Sequence, residues 1–190
     1  MIYRTIYTLV QSWRYRKELA GYANASNLQV ASIVDLSPQA LLEDGIKGLI
    51  IDFDGVLAAY AKEQPVAEVE RWLHLCCSCF SQDKIFILSN KPTLTRKQYF
   101  AGNFPKINFI IAKHKKPFPY SILHILQTTE LLSKELLVID DRLCTGILAA
   151  IISKSRGYLI TKPYIDYTFC PIREKLTVML RSFEQWLFKY

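Results

Sequence analysis

The sequence predicts an α/β fold: a doubly wound, Rossmann-like parallel sheet of about five strands. Three observations lead there. From Lys47 onward, short apolar runs alternate with stretches of helical periodicity, the spacing expected of right-handed β-α-β units. Several of these runs end on a polar cluster, and in open α/β sheets ligands bind beyond the carboxyl ends of the strands. The 51% apolar content and a mean hydropathy of +0.10 suit a sheet buried on both faces. At 190 residues the chain fits one such domain with a substantial core. We divide it into residues 1–36, a basic amphipathic helix and a connection, and residues 37–190, the α/β domain.

Taken in order, residues 2–19 place Ile2, Ile6, Leu9, Val10 and Trp13 at helical spacing, with Arg4, Arg14, Arg16 and Lys17 among them. Such a helix either packs on the domain or lies on a membrane surface. Residues 20–36 read as an irregular connection. Ser37-Pro38 is an N-cap and first-turn pair, and Gly45 closes the short helix that follows. Strands are expected at 47–52, 84–89, 107–112, 136–140 and 157–161. Helices are expected at 65–80, 92–101, 118–131, 145–155 and 172–189.

The most informative stretch is Gly48-Leu-Ile-Ile-Asp52-Phe-Asp54-Gly55. Alternate residues of an extended strand point the same way, so Asp52 and Asp54 can converge just past its end. Two converging carboxylates repel unless a cation sits between them, and Mg2+ suits a site with few carboxylates and a phosphate. Gly55 permits a sharp turn that could bring backbone N–H groups toward an anion. The second strand ends in Ser89-Asn90, where a hydroxyl could bond a phosphoryl oxygen or cap a helix. After the third comes Lys113-His-Lys115-Lys116-Pro117. A lysine there can neutralise a phosphoryl group, and Pro117 would start the next helix and fix where Lys116 points. The fourth strand ends in Asp140-Asp141, which either completes a metal site or supplies helix N-terminal charge.

Composition narrows the partners. The net charge of +7 favours anionic ones: phosphorylated substrates, acidic membrane surfaces or nucleic acid. No stretch carries the basic and aromatic signature of a nucleic-acid module, so no nucleic-acid partner is expected. The five cysteines lack zinc spacing, and Cys76, Cys77 and Cys79 read as core-filling thiols on a helix. No apolar run reaches bilayer length and no secretory signal is evident. The expected compartment is therefore cytoplasmic, with a peripheral position at the inner membrane allowed by the basic helix.

The order Asp-x-Asp-Gly, Ser-Asn, Lys-Pro and Asp-Asp resembles the haloacid dehalogenase (HAD) superfamily of aspartate-nucleophile phosphatases over about residues 47–161. The resemblance implies a HAD-like fold, a phosphatase activity and Mg2+. It implies Asp52 as nucleophile, Asp54 as general acid/base and Lys116 as the stabilising lysine. Ser89, with Asn90 beside it, would bind substrate phosphate, and Asp52, Asp54, Asp141 and Asp140 would hold the metal. Within that superfamily the chain is similar to the HAD-type phosphatidylglycerophosphate phosphatases over about residues 28–185. The matching stretches are Ile33-Val-Asp-Leu-Ser-Pro38, Leu41-Leu-Glu-Asp-Gly45, Ala112-Lys-His-Lys-Lys116-Pro117, Leu143-Cys-Thr145 and Arg181-Ser-Phe-Glu184. Two departures stand out: with Asp141 aligned on the first acid of the family's Gly-Asp-Gln-x-x-Thr-Asp motif, Gly146 replaces its second acid and Asp140 is an extra charge, and Val56 stands where the family has threonine.

One inference about substrate needs no family. The Asp54–Ser89 and Ser89–Lys116 intervals each hold one helix and one strand, leaving no room for a cap domain. An uncapped site can reach a phosphate on a membrane surface or a macromolecule. Together with the resemblance, which implies phosphatidylglycerophosphate as substrate and an aspartyl-phosphate as intermediate, this makes an anionic phospholipid the expected substrate. A soluble phosphomonoester of unknown identity and a non-catalytic HAD-like binding protein are the alternatives.

Overall fold

The computed structural model describes residues 2–168 and 170–189, apart from the side chain of Gln82. Among them one six-stranded, all-parallel sheet runs in the order β1-β6-β5-β2-β3-β4. The strands are β1 (Gln29–Val30), β2 (Gly48–Ile51), β3 (Ile85–Leu88), β4 (Asn108–Ile110), β5 (Leu136–Asp140) and β6 (Arg156–Ile160). The helices are α1 (Ile2–Arg14), α2 (Arg16–Asn24), α3 (Pro38–Glu43), α4 (Ala67–Cys79), α5 (Leu94–Asn103), α6 (Tyr120–Thr129), α7 (Leu148–Ser153) and α8 (Pro171–Phe188). The doubly wound parallel sheet is as the sequence predicts, with one strand more.

That extra strand, β1, pairs Gln29 and Val30 with Leu159 and Ile160 of β6, inside the stretch expected to be irregular. Two residues are too few for any periodicity, so only the pairing reveals it. The expected helix over 2–19 divides at Tyr15 and continues as α2 to Asn24. Burial explains the division. Leu19 of α2 is fully buried with Leu143, Ile147 and Phe188, whereas the apolar side chains of α1 are not drawn into any core.

The central strands β2, β3 and β5 are buried along their whole length, which is why they read as unbroken aliphatic runs. Alternate residues feed two cores. Leu49, Ile51, Ile85, Ile87 and Ile139 pack with α4 and α5 through Leu73, Trp72 and Phe100. Ile50, Phe86, Leu88 and Val138 pack with α6 and α7 through Ile122, Ile125 and Ala149. Cys76 is buried in the first core and Cys77 and Cys79 pack against it, so the thiols do fill space. From β2 the chain steps outward to β3 and β4 on one side and returns to β5 and β6 on the other. The crevice between the ends of β2 and β5 is thus the switch point where such sheets bind ligands.

Candidate active site

Asp52 follows β2 directly, and its backbone N–H donates to Ile139 O of β5 at 2.9 Å, so both strand ends hold it. Its carboxylate is buried beside those of Asp140 and Asp141. One oxygen from each of the three lies within 4.8 Å of the others. Lys116 enters between them: its Nζ donates to Asp52 Oδ1 at 2.7 Å and to Asp140 Oδ2 at 2.5 Å. Of the lysines in its loop, Lys113 and Lys115 are exposed and Lys116 is buried. Pro117 does not begin the next helix, which starts at Tyr120. Lys116 is instead held by its backbone. Its N–H donates to Asn90 Oδ1 at 2.8 Å, and its carbonyl accepts from Arg4 Nε at 2.8 Å and from Asn90 Nδ2 at 3.4 Å.

Burial pushes the Asp52 carboxyl well above the usual range, and Lys116 only partly offsets this against the charges of Asp140 and Asp141. Burial likewise pushes Asp141 up to about 7, despite the Arg181 guanidinium on its carboxylate. For Lys116, burial alone would lower the ammonium, but Asp140 and Asp52 outweigh it and hold it above the ordinary lysine range. Three carboxylates face two cations, Lys116 and Arg181, so negative charge is in excess. A buried oxygen-donor set with surplus negative charge fits a hard divalent cation such as Mg2+.

Asp54 stands apart from these three. Arg96 of α5 clamps it with two bonds, Nη2 to Oδ1 at 2.8 Å and Nη1 to Oδ2 at 3.2 Å. The Ser89 hydroxyl donates to Asp54 Oδ2 at 3.4 Å and accepts the Lys91 N–H at 3.0 Å. Arg96 is itself buried, lies over the Phe53 ring at 3.9 Å and donates to the Lys62 carbonyl. The two strand-end carboxylates therefore diverge, one toward lysine and the acid cluster, the other toward arginine. Gly55 follows with φ 91°, a left-handed turn, and a Cβ there would collide with Asp141 and Arg181. Its N–H donates to Ala58 O at 2.7 Å, so it closes the local turn and is not presented to an anion.

The structure also explains Gly146. A Cβ built there would fall on the Asp140 carboxylate. The space a side chain at 146 would occupy is thus filled from the strand end by Asp140, which meets Lys116 there. The absent acid and the extra acid are two halves of one packing arrangement.

Three arginines organise the site without a role legible in the sequence. Arg96 carries no signal in the sequence beyond its place in the first turn of α5. Arg142 pairs with Glu184, and Arg181 pairs with Asp141, so α8 grips the segment after β5 from outside. The Arg181-Ser-Phe-Glu184 run was visible as a motif, but its partners only the fold supplies. Asp52, Asp54, Asn90, Lys116, Asp141, Arg4, Thr145 and Arg181 border a pocket of about 260 Å³.

A parallel sheet with an Asp-Lys-Asp-Asp cluster at its switch point defines the class of HAD-type phosphatases. The pattern of the family described as "Mitochondrial PGP phosphatase" matches residues 23–164, and the chain belongs to that family, whose members are phosphatases acting on phosphate monoesters. No curated protein matches the chain. Among solved structures, an uncharacterized protein from Corynebacterium glutamicum ATCC 13032 Kitasato is 18% identical. The match covers 76% of this chain and 96% of that one at a TM-score of 0.46. An uncharacterized protein from Listeria monocytogenes serotype 4b is 13% identical, with coverage of 72% and 99% and a TM-score of 0.47. Among the described residues no helix is long and apolar enough to cross a membrane.

Proposed function

We propose that the protein hydrolyses the phosphate monoester of a phosphatidylglycerophosphate-type lipid through an aspartyl-phosphate on Asp52, with Mg2+ as cofactor. The observation that carries this reading is the buried Asp52–Lys116–Asp140–Asp141 cluster at the β2/β5 crevice. In the first step an Asp52 oxygen bonds to phosphorus as the bond from phosphorus to the lipid alcohol oxygen breaks. Asp54, once released from Arg96, gives its proton to the departing alkoxide. In the second step water attacks phosphorus, its proton returns to Asp54, and the bond from phosphorus to Asp52 breaks to release phosphate. Lys116 keeps Asp52 oriented and balances charge on the phosphoryl group. Asp52, Asp140 and Asp141 would hold Mg2+, which when bound supplies further neutralisation of that charge.

Ser89 and Asn90 border the phosphate position in this reading, the first beside Asp54 and the second through the Lys116 backbone. Only residues 55–66 lie between Asp54 and α4, and they form turns, which supports a site without a cap domain, open to a lipid phosphate at a bilayer surface. The test is phosphate release from a panel of lipid and water-soluble monoesters, with and without Mg2+. Mg2+-dependent release from phosphatidylglycerophosphate in preference to soluble esters supports the reading. Release confined to soluble esters would move the substrate class, and no release from any ester would end it.

A further inference from the structure

Helix α8 has two unlike sides. Inward it sends three of its charged residues: Glu174, Arg181 and Glu184 are buried, the last two on Asp141 and Arg142. Outward it carries Ile172, Leu176, Met179, Phe183 and Trp186, a seam at intervals of four and three residues that is 53–74% exposed. Helix α1 repeats the arrangement. Ile2, Ile6, Leu9, Val10 and Trp13 are exposed, while Arg4 and the Tyr7–Phe118 ring contact at 4.4 Å fasten the opposite side to the domain. The two helices border a shared groove of about 430 Å³, lined by Thr5, Leu9, Leu180, Phe183 and Leu187. Arg4, Arg142, Thr145 and Leu180 border both this groove and the catalytic pocket.

We propose that α1 and α8 together form one docking face for a bilayer containing anionic phospholipid, and that the groove between them leads the lipid phosphate to Asp52. The charge around the face selects this occupant. Arg14, Arg16, Lys17, Arg173, Lys175 and Lys189 are exposed on these two helices, the start of α2 and the end of α8. The exposed acid among them is Glu18, because both glutamates of α8 point inward. A second copy of the chain would bring the same basic rim against itself, whereas anionic headgroups complement it and the apolar seams enter the acyl boundary. The proposal rests on the lipid-monoester reading above and adds α8 and the groove to it.

The experiment measures co-sedimentation of the full chain with vesicles of phosphatidylcholine alone or with added phosphatidylglycerol. Turnover of vesicle-borne phosphatidylglycerophosphate and of para-nitrophenyl phosphate is followed alongside. Wild type should sediment with the anionic vesicles and release as salt rises. Met179→Asp/Trp186→Asp on α8 and Ile6→Asp/Trp13→Asp on α1 should each weaken that binding on the order of tenfold. Each should lower the ratio of vesicle to soluble turnover by about the same factor. Binding lost in these variants of a protein that turns over neither ester would support the face and overturn the activity. Unchanged sedimentation of the α8 variant would overturn the proposal. So would analytical ultracentrifugation showing a wild-type oligomer that the α8 variant converts to monomer without change in vesicle binding.

Discussion

The crevice between β2 and β5 and the outer face of α1 and α8 are opposites in their use of charge. In the crevice, every carboxylate of the cluster is buried and answered by a named cation: Asp52 and Asp140 by Lys116, Asp141 by Arg181. On the outer face, apolar side chains stand exposed and the surrounding charge is nearly all basic. Helix α8 belongs to both, since Arg181 and Glu184 reach inward while Met179 and Trp186 look out. The contrast separates two kinds of constraint. The inner region is fixed by pairwise contacts within the fold, so single substitutions there should be severe. On the outer face the apolar side chains of α1 and α8 stand exposed among the described residues, so substitutions there should be mild until a partner is supplied.

The largest effect expected inside is from Asp52→Asn, which should abolish phosphate release while leaving far-UV circular dichroism unchanged, because an amide cannot form the acyl-phosphate. Next comes the Asp140–Gly146 arrangement. Asp140→Gly should cost on the order of 10²-fold in turnover through loss of a Lys116 partner. Gly146→Asp alone should be destabilised by overpacking and like charge, by about 1–3 kcal/mol in thermal unfolding. The double exchange Asp140→Gly/Gly146→Asp should recover most of both losses, since it returns one carboxylate to the same space. Recovery of neither would show that the two positions are not alternatives.

Arg96→Met tests whether the second carboxylate is held as firmly as the first. It leaves Asp54 without its clamp and should lower stability by about 3 kcal/mol in a denaturant titration, the usual cost of breaking a buried pair. A change well below 1 kcal/mol would mean that the Asp54–Arg96 pair adds little to the fold. The smallest effect concerns pH. Asp141 sits at about 7 in the folded chain because of burial, against an ordinary value of about 3.9. A raised carboxyl pKa stabilises the fold most below the ordinary value, and that stabilisation is lost as pH rises through the folded value. The melting temperature without divalent cation should therefore fall between about pH 5 and pH 8, and added Mg2+ should restore more of it at the upper end. Equal Mg2+ shifts at both ends would contradict that charge balance.

What could be read from sequence follows the same division. β2, β3 and β5 were legible because burial on both faces forces continuous aliphatic runs, and the site because its residues sit at the ends of those runs. β1 was not, because two residues carry no period. The break at Tyr15 was not either, since the helical spacing runs past it and only the burial of Leu19 separates the two helices. Asp52, Lys116, Asp140 and Asp141 come together as their positions suggest. That Asp54 turns to Arg96 depends on where α5 lies, which no local pattern states. Gly146 looked like a missing acid in one dimension and becomes intelligible only when Asp140 is seen in its space.

In the mechanism proposed above, Asp52 carries the phosphoryl group. The most direct test is rapid acid quench of the enzyme with a 32P-labelled phosphomonoester, followed by peptide mapping of the label. A hydroxylamine-labile label is expected on the peptide containing Asp52, absent from Asp52→Asn protein. Undiminished turnover by Asp52→Asn, or a label on another residue, would contradict it.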